Sequence, residues 1–350
     1  MKRNLLQKSL FSLLTGVVIL FTAGCSKPVS GELSTDTSVV TEPVPSVTTV
    51  VTETPVPTPT SIPVATATPT PSPTPTELPF YDQILAWEKE HEPDVELPVK
   101  AALLVNLSNN EILYSAHATE VIYPASITKL MTALVVFNQK EFLTETVEVS
   151  QTAVTPVIPS AKMCGFQAGD RLLLRDLLGC MLIYSGNDTS VAVAEHISGS
   201  EAEFVALMNQ TAEELGLTVS KFYNTHGLPD DNHVTSAYDI YLIMQKLFQF
   251  DEFFDIIESG SIKVDVLRNE TLTTMSFVST NQFLSGAYQL PEGLTIFGGK
   301  TGTTNKAGCC LTLYIKDQRG DCYIAEIFGA ESYETLYPDM IHLLSYISVE

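Results

Sequence analysis

Apolar positions are spread unevenly along this chain of 350 residues, and their spacing divides it into three stretches. Leu10 to Phe21 is a mostly apolar run of about a dozen residues, too short to span a bilayer comfortably. Ser26 to Pro79 has few large apolar side chains and is dominated by Pro, Thr, Val and Ser. Such a segment cannot bury enough surface to offset chain entropy, and its prolines lack the N–H that helices and sheets need. From Phe80 onward the periodicity of a folded domain begins. Tyr81 to Glu90 has helical spacing, with the only tryptophan, Trp87, on its buried face. Ala101 to Asn106 and Glu111 to Ser115 read as short strands, and Ser108-Asn109-Asn110 between them supplies the turn of a hairpin.

Pro124-Ala125 then precedes an apolar helical stretch, Ser126 to Phe137. Helical spacing recurs in Arg171 to Ile183, Asp188 to His196, Glu201 to Leu215 and Ser236 to Phe250, punctuated by Gly169-Asp170, Gly186-Asn187 and Gly227-Leu228-Pro229. Strands return at Cys309 to Ile315 and Cys322 to Phe328, flanking a turn over Lys316 to Asp321, and a last helix is predicted near Tyr333 to Ile347. Strands at both ends and helices between predict an α+β fold: one antiparallel sheet built from both ends, flanked by helices, with a helix-rich insert over roughly 143–275. A cleft between the two parts is the natural binding site.

Charge narrows the choice of partner. The formal net charge of −22 excludes a nucleic-acid surface, because phosphates would be repelled. Lys2, Arg3 and Lys8 precede the first apolar run, and Ala23-Gly24-Cys25 follows it, with Thr22 where a leucine is usual. This resembles a lipoprotein leader, with Cys25 as the lipidated residue. The expected organisation is a leader over 1–24, a tether over 25–79 and a globular domain over 80–350. At about 3.1 Å per residue the tether reaches on the order of 100 Å. Beyond Cys25, Cys164, Cys180, Cys309, Cys310 and Cys322 are an odd number in no zinc-binding spacing, so at least one stays unpaired. Cys309 or Cys310 faces Cys322 only if the register of the final hairpin allows it. The default reading is buried thiols acting as small apolar groups.

Three short motifs carry candidate chemistry. Ser126-Ile127-Thr128-Lys129 places a hydroxyl and an amine one helical turn apart. A serine needs a base, and a lysine serves as one when desolvation lowers its pKa. The pattern alone occurs by chance about once in a chain of this length, and it also fits a helix-capping serine beside a solvated lysine. Lys300-Thr301-Gly302, after Phe297-Gly298-Gly299 and before Thr303-Thr304, is rarer. Its glycines permit close backbone approach, its strand edge suits an extended peptide, and Lys300 with Thr301 suits a carboxylate. A glycine-rich turn with a chance basic residue is the plainer reading. Ser185-Gly186-Asn187 is the weakest pattern, since Ser108-Asn109-Asn110 and Ser279-Thr280-Asn281 share its spacing; Ser185 is preferred because it separates two apolar helices.

In this order, and within Tyr123 to Ala133, Leu182 to Asp188, Asn224-Thr225-His226-Gly227-Leu228 and Gly299 to Thr304, the motifs resemble the low-molecular-mass D-alanyl-D-alanine carboxypeptidases, over roughly Val99 to Ile347. The resemblance implies Ser126 as acylated nucleophile, Lys129 as its base, and Ser185 and Asn187 as proton relay and substrate positioner. It implies that Lys300 and Thr301 bind the terminal carboxylate, in the motif completed by Gly302, and that the N–H groups of Ser126 and Thr303 hold the oxyanion. The implied substrate is a peptidoglycan stem peptide ending in D-Ala-D-Ala, with β-lactams as inhibitors and no metal or other cofactor. The implied location is the outer face of the bacterial cytoplasmic membrane, reached through a lipid anchor. Many members carry a further C-terminal β-rich domain and attach there; here the tether and lipid are expected to take over that task. His226 reads as part of a structural turn. The alternatives are a β-lactamase, for which the Glu-x-x-x-Asn loop is not found downstream of Ser185, and a non-catalytic sensor of β-lactams or cell wall.

Overall fold

Strand β1 (Ala101–Asn106) is buried at all six positions, the signature of a central strand covered on both faces. In the computed structural model, which describes residues 79–91, 97–140 and 143–348, it follows helix α1 (Pro79–Glu90) and turns back into β2 (Glu111–Ala116). The leader, Cys25 and the tether up to residue 78 lie outside the described residues. After β2 come α2 (Thr128–Gln139), β3 (Thr146–Glu148), β4 (Arg171–Leu173), α3 (Leu174–Gly179), a π-helical turn (Cys180–Tyr184), α4 (Asn187–Ser198), α5 (Glu201–Leu215), α6 (Ala237–Leu247) and α7 (Asp251–Ile257). The chain closes with β5 (Ser261–Arg268), β6 (Thr271–Val278), β7 (Leu294–Thr304), β8 (Gly308–Asp317), β9 (Cys322–Ala330) and α8 (Tyr333–Leu344).

The main sheet has the order β2-β1-β9-β8-β7 and is antiparallel throughout, as the strand positions predict. Alternation sends Leu103, Val105, Ile324 and Phe328 to one face, against α2 and α6. It sends Ala102, Leu104, Tyr323, Ala325 and Ile327 to the other, against Leu336, Met340 and Leu343 of α8. Helix α2 is buried from Thr128 to Phe137, so it runs through the interior, mostly apolar but carrying Thr128, Lys129 and Thr132 with it. Trp87 is half-buried and stacks on His91; Ile84 is the residue of α1 that enters the core.

Two stretches depart from the helical reading. Arg171 to Leu173 is strand, not helix, because its backbone pairs with Thr146 to Glu148. The segment expected to be helix-rich also holds the β5–β6 hairpin, which completes a second sheet of order β3-β4-β5-β6. Its signal was the alternation of buried Val264 and Val266 with exposed Lys263 and Asp265. The turn residues Asn269 and Glu270 both have positive φ, 47° and 62°, suiting a two-residue hairpin turn without a glycine to announce it. In the β8–β9 register Cys322 faces Lys316 and Cys309 faces Ala330, so neither Cys309 nor Cys310 lies opposite Cys322. All five described cysteines are free thiols.

Glu326 occupies the middle of β9, between Leu103 and Thr312, with no exposed surface. Neither of its carboxylate oxygens nor Thr312 Oγ1 has a hydrogen-bond partner among the described residues. Burial pushes its pKa well above the ordinary carboxylate range. A raised folded-state pKa means that stability is full below the unfolded pKa and falls as pH rises toward the folded one. Glu326→Leu is therefore expected to be more stable than the wild type at pH 8 by about 1–3 kcal/mol, the cost of an unmet buried polar group. The gap should narrow toward pH 4. Denaturant titration at both pH values checks this; a variant less stable at pH 8 refutes it.

Candidate active site

Ser126 sits in a 3₁₀ turn (Ala125–Ile127) that leads directly into α2. Ala125 before it has φ 47°, a left-handed conformation that costs a non-glycine residue about 1–2 kcal/mol. Neighbouring contacts hold it there. Thr128 Oγ1 donates to Ala125 O at 2.8 Å. His233 Nδ1 accepts the Tyr223 N–H at 3.2 Å, so its proton is on Nε2, which donates to Thr128 Oγ1 at 2.9 Å. Burial lowers the His233 pKa to about 4 and keeps the ring neutral, consistent with that tautomer. Gly227, at φ 83°, packs so close that a Cβ would lie 1.8 Å from Ala125 O.

Lys129 is entirely buried one turn along α2. Its Nζ lies 2.8 Å from Asn187 Oδ1, 2.8 Å from the His226 carbonyl oxygen and 3.3 Å from Ser126 Oγ. Burial, opposed by nearby Asp188, lowers its pKa to about 7, with a smaller push from the charge of Lys162. A neutral amine has two N–H donors and one lone pair. The two carbonyl-type oxygens engage both donors, and the lone pair is left for the Ser126 hydroxyl. His226 contributes its backbone oxygen; its ring is buried, its pKa lowered to about 3 by burial first, and its Nδ1 accepts the Leu228 N–H. This is the structural turn that the sequence predicted.

The second motif begins where the π turn ends. Ser185 takes a left-handed conformation (φ 71°), and its N–H and that of Gly186 both reach Cys180 O. Gly186 has no room for a side chain: a Cβ would meet Cys164 Sγ at 2.5 Å. Asn187 opens α4, and its N–H donates to Lys162 O at 2.8 Å. Asp188 accepts the N–H groups of Cys164 and Gly165 at 3.0 and 3.1 Å, fastening the 162–166 loop to this wall of the cleft.

The third motif lies on β7, the edge strand of the main sheet. Lys300 Nζ donates to Ser185 Oγ and Thr301 O, both at 2.9 Å. Burial first, then Lys129 and Lys162, lowers the Lys300 pKa well below that of a free lysine. Thr301 Oγ1 shares a 2.5 Å hydrogen bond with Thr280. A Cβ on Gly302 would stand 3.0 Å from both Pro124 O and Ser126 N, so only glycine lets the strand approach the nucleophile's amide this closely. Thr303 is exposed, with Oγ1 2.5 Å from the Tyr333 hydroxyl at the start of α8.

Lys129 thus joins Ser126 to Asn187, and Lys300 joins Ser185 to Thr301; the Ser185-Gly186-Asn187 turn connects the two sets, with Gly302 beside the Ser126 amide and Thr303 next along β7. Ser108-Asn109-Asn110 stays in the β1–β2 turn, while Ser279-Thr280-Asn281 touches the site only through Thr280. Asp188, Thr280, His233 and Tyr333 also shape the site. Of these only Asp188, adjacent to the second motif, had a signal in the sequence; the others reach the cleft through partners distant in the chain.

A helix-borne serine–lysine pair, a Ser-x-Asn turn and a Lys-Thr-Gly edge strand on such a sheet define the penicillin-recognising serine enzyme class. The Streptomyces K15 DD-transpeptidase has a similar fold, with a TM-score of 0.67 at 22% identity, covering 73% of this chain and 98% of that one. For penicillin binding protein 5 from Haemophilus influenzae the TM-score is 0.64 at 25% identity, covering 73% and 72%. The family profile described as D-alanyl-D-alanine carboxypeptidase matches residues 87–332, and the chain belongs to that family. It is 34% identical over 238 residues to the D-alanyl-D-alanine carboxypeptidase DacF of Bacillus subtilis, covering 67% of this chain and 58% of the relative. To DacC of Escherichia coli it is 29% identical over 266 residues, covering 73% and 63%. The chain thus spans less than two thirds of the length of either curated relative.

Proposed function

We propose that this protein is a serine D-alanyl-D-alanine carboxypeptidase that trims the terminal D-alanine from peptidoglycan stem peptides through an acyl-enzyme on Ser126. The observation that carries this reading is the hydrogen-bond arrangement at Lys129, whose two N–H donors are engaged at 2.8 Å while Ser126 Oγ stands 3.3 Å away. An extended peptide adds to the open edge of β7, its terminal carboxylate meeting Lys300, Thr301 and Ser185. Neutral Lys129 takes the Ser126 proton as Oγ attacks the scissile carbonyl. The oxyanion forms between the N–H groups of Ser126 and Thr303. Protonation of the leaving amine through Lys129 or Ser185 releases D-alanine, and water then hydrolyses the ester. β-Lactams enter the same path and stop at the acyl-enzyme.

Persistence of that adduct is favoured over β-lactamase turnover by the carboxylates nearby. Asp188 is engaged by loop amides, and Glu201 Oε1 accepts from the N–H and hydroxyl of Thr225; among the described residues neither hydrogen-bonds Ser126 or Lys129. We further propose that a lipid on Cys25 and the tether hold the domain outside the cytoplasmic membrane. No helix among the described residues is long and apolar enough to cross a membrane.

The test pairs a fluorescent penicillin with a D-Ala-D-Ala peptide. Lasting label with D-alanine release is the expected result. Turnover of penicillin without lasting label would make the protein a β-lactamase, and label without D-alanine release a sensor. Because Lys129 must be unprotonated to act, and its pKa is lowered to about 7, acylation should rise with pH and level off above about pH 8. A flat profile between pH 5 and 8 would remove Lys129 as the base.

A further inference from the structure

Three lysines face the cleft of a protein whose formal net charge is −22, and the mechanism above uses two. The third is Lys162, exposed on the loop before the second motif. Its backbone oxygen is tied to the Asn187 N–H at 2.8 Å. Its ammonium stands 4.1 Å above the ring of Tyr184, the residue preceding Ser185, a placement favoured by the ring's negative face. Its charge adds a small push that lowers the pKa of both Lys129 and Lys300. No ion pair involves Lys162 among the described residues. Lys306, a cation on the loop after β7, differs in being paired with Asp231.

The position of Lys162 indicates which part of a substrate it meets. The leaving D-alanine and its carboxylate belong beside Lys300, Thr301 and Ser185. The acyl half must then lie past Ser126, between Thr303 and the Asn187 wall. Asn187 Oδ1 is engaged by Lys129, leaving Nδ2 to donate to a backbone carbonyl of that half. The Lys162 loop is anchored to the same residue through its backbone oxygen, so it borders the acyl half.

We infer that Lys162 is a second anion-recognition point of the cleft, binding a side-chain carboxylate on the residue that precedes the D-Ala-D-Ala pair. The inference rests on the proposed function for its peptide substrate, but not for its electrostatics. An exposed ammonium held over a ring, with no counter-charge, is open to pairing with an incoming carboxylate. An anionic peptide is also repelled by the acidic bulk of this protein, which makes a local cation necessary for selecting one.

Two matched pairs of ligands test it: peptides whose residue before D-Ala-D-Ala carries a side-chain carboxylate or its primary amide, and penicillins whose acyl side chain is anionic or neutral. The wild type should favour the carboxylate member of each pair by about fivefold, the size of one partly exposed ion pair. The readouts are kcat/KM for the peptides, with the effect in KM, and the second-order acylation rate for the penicillins. Lys162→Gln should bring both ratios to about one, and Lys162→Glu should invert them. Equal losses for both members of a pair, or a shifted pH profile with the ratios preserved, would overturn the inference and leave Lys162 acting on Lys129. Preference among penicillins without D-alanine release from either peptide would support this site while refuting the carboxypeptidase reading.

Discussion

Lys129→Met lowers the rate of Ser126 acylation by about 10²–10⁴-fold, the usual contribution of a positioned general base. Methionine matches the lysine stem in length and stays apolar, so it fills the same buried channel without the cost of a desolvated amine. It leaves Asn187 Oδ1 and the His226 oxygen without the donor that they share at 2.8 Å. An unmet acceptor costs about 1–3 kcal/mol, partly offset by removing the buried amine, so the domain is expected to fold. Acylation by fluorescent penicillin, measured beside a thermal melt, separates the two effects. A companion Ser126→Ala variant should show no covalent label. Acylation of the Lys129 variant within tenfold of the wild type, or lasting label on the Ser126 variant, would end the proposed mechanism.

Gly227→Ala should be among the most damaging single-methyl additions to the molecule. At φ 83° any side chain is strained, and here the new Cβ would lie 1.8 Å from Ala125 O, 2.4 Å from Ala125 C and 2.8 Å from Thr128 Oγ1. The obstacle is backbone that carries the nucleophile, so relief requires moving Ser126. A loss of roughly 3–5 kcal/mol is expected, together with loss of acylation. Gly165 provides the control, because it has the same φ of 83° with nothing within 4 Å of its would-be Cβ. Gly165→Ala should show only the conformational part, about 1–2 kcal/mol. Equal destabilisation of the two variants would show that the contact with Ala125 is not the cause.

Both predictions concern a site that was only partly visible in the sequence. The Ser126–Lys129 pair was legible because helical spacing alone stacks residues three apart. Helix α5 coincides with its sequence reading, since its apolar period is long and Ser200 caps its start by accepting the Glu203 N–H. The hairpin of β8 and β9 was announced by two apolar runs around a polar turn. By contrast, Arg171 to Leu173 has helix-like leucine spacing and becomes strand because β3 claims its backbone. The choice among three Ser-x-Asn triplets could be argued only from context until Lys300 was found 2.9 Å from Ser185, across 115 residues of chain.

By itself, then, the order of residues determined everything that depends on near neighbours: helical phase, strand alternation, turn chemistry, and the chemical types available for catalysis. Only the tertiary structure decided which groups lose water and which meet. Lys129 becomes a base through burial and two oxygens contributed by residues 58 and 97 positions away. The left-handed turns at Ala125 and Ser185 persist because distant contacts hold them. Lys162 belongs to the cleft because its loop is fastened to Asn187 and Asp188. Desolvation and long-range hydrogen bonding act through space, so local pattern does not encode them.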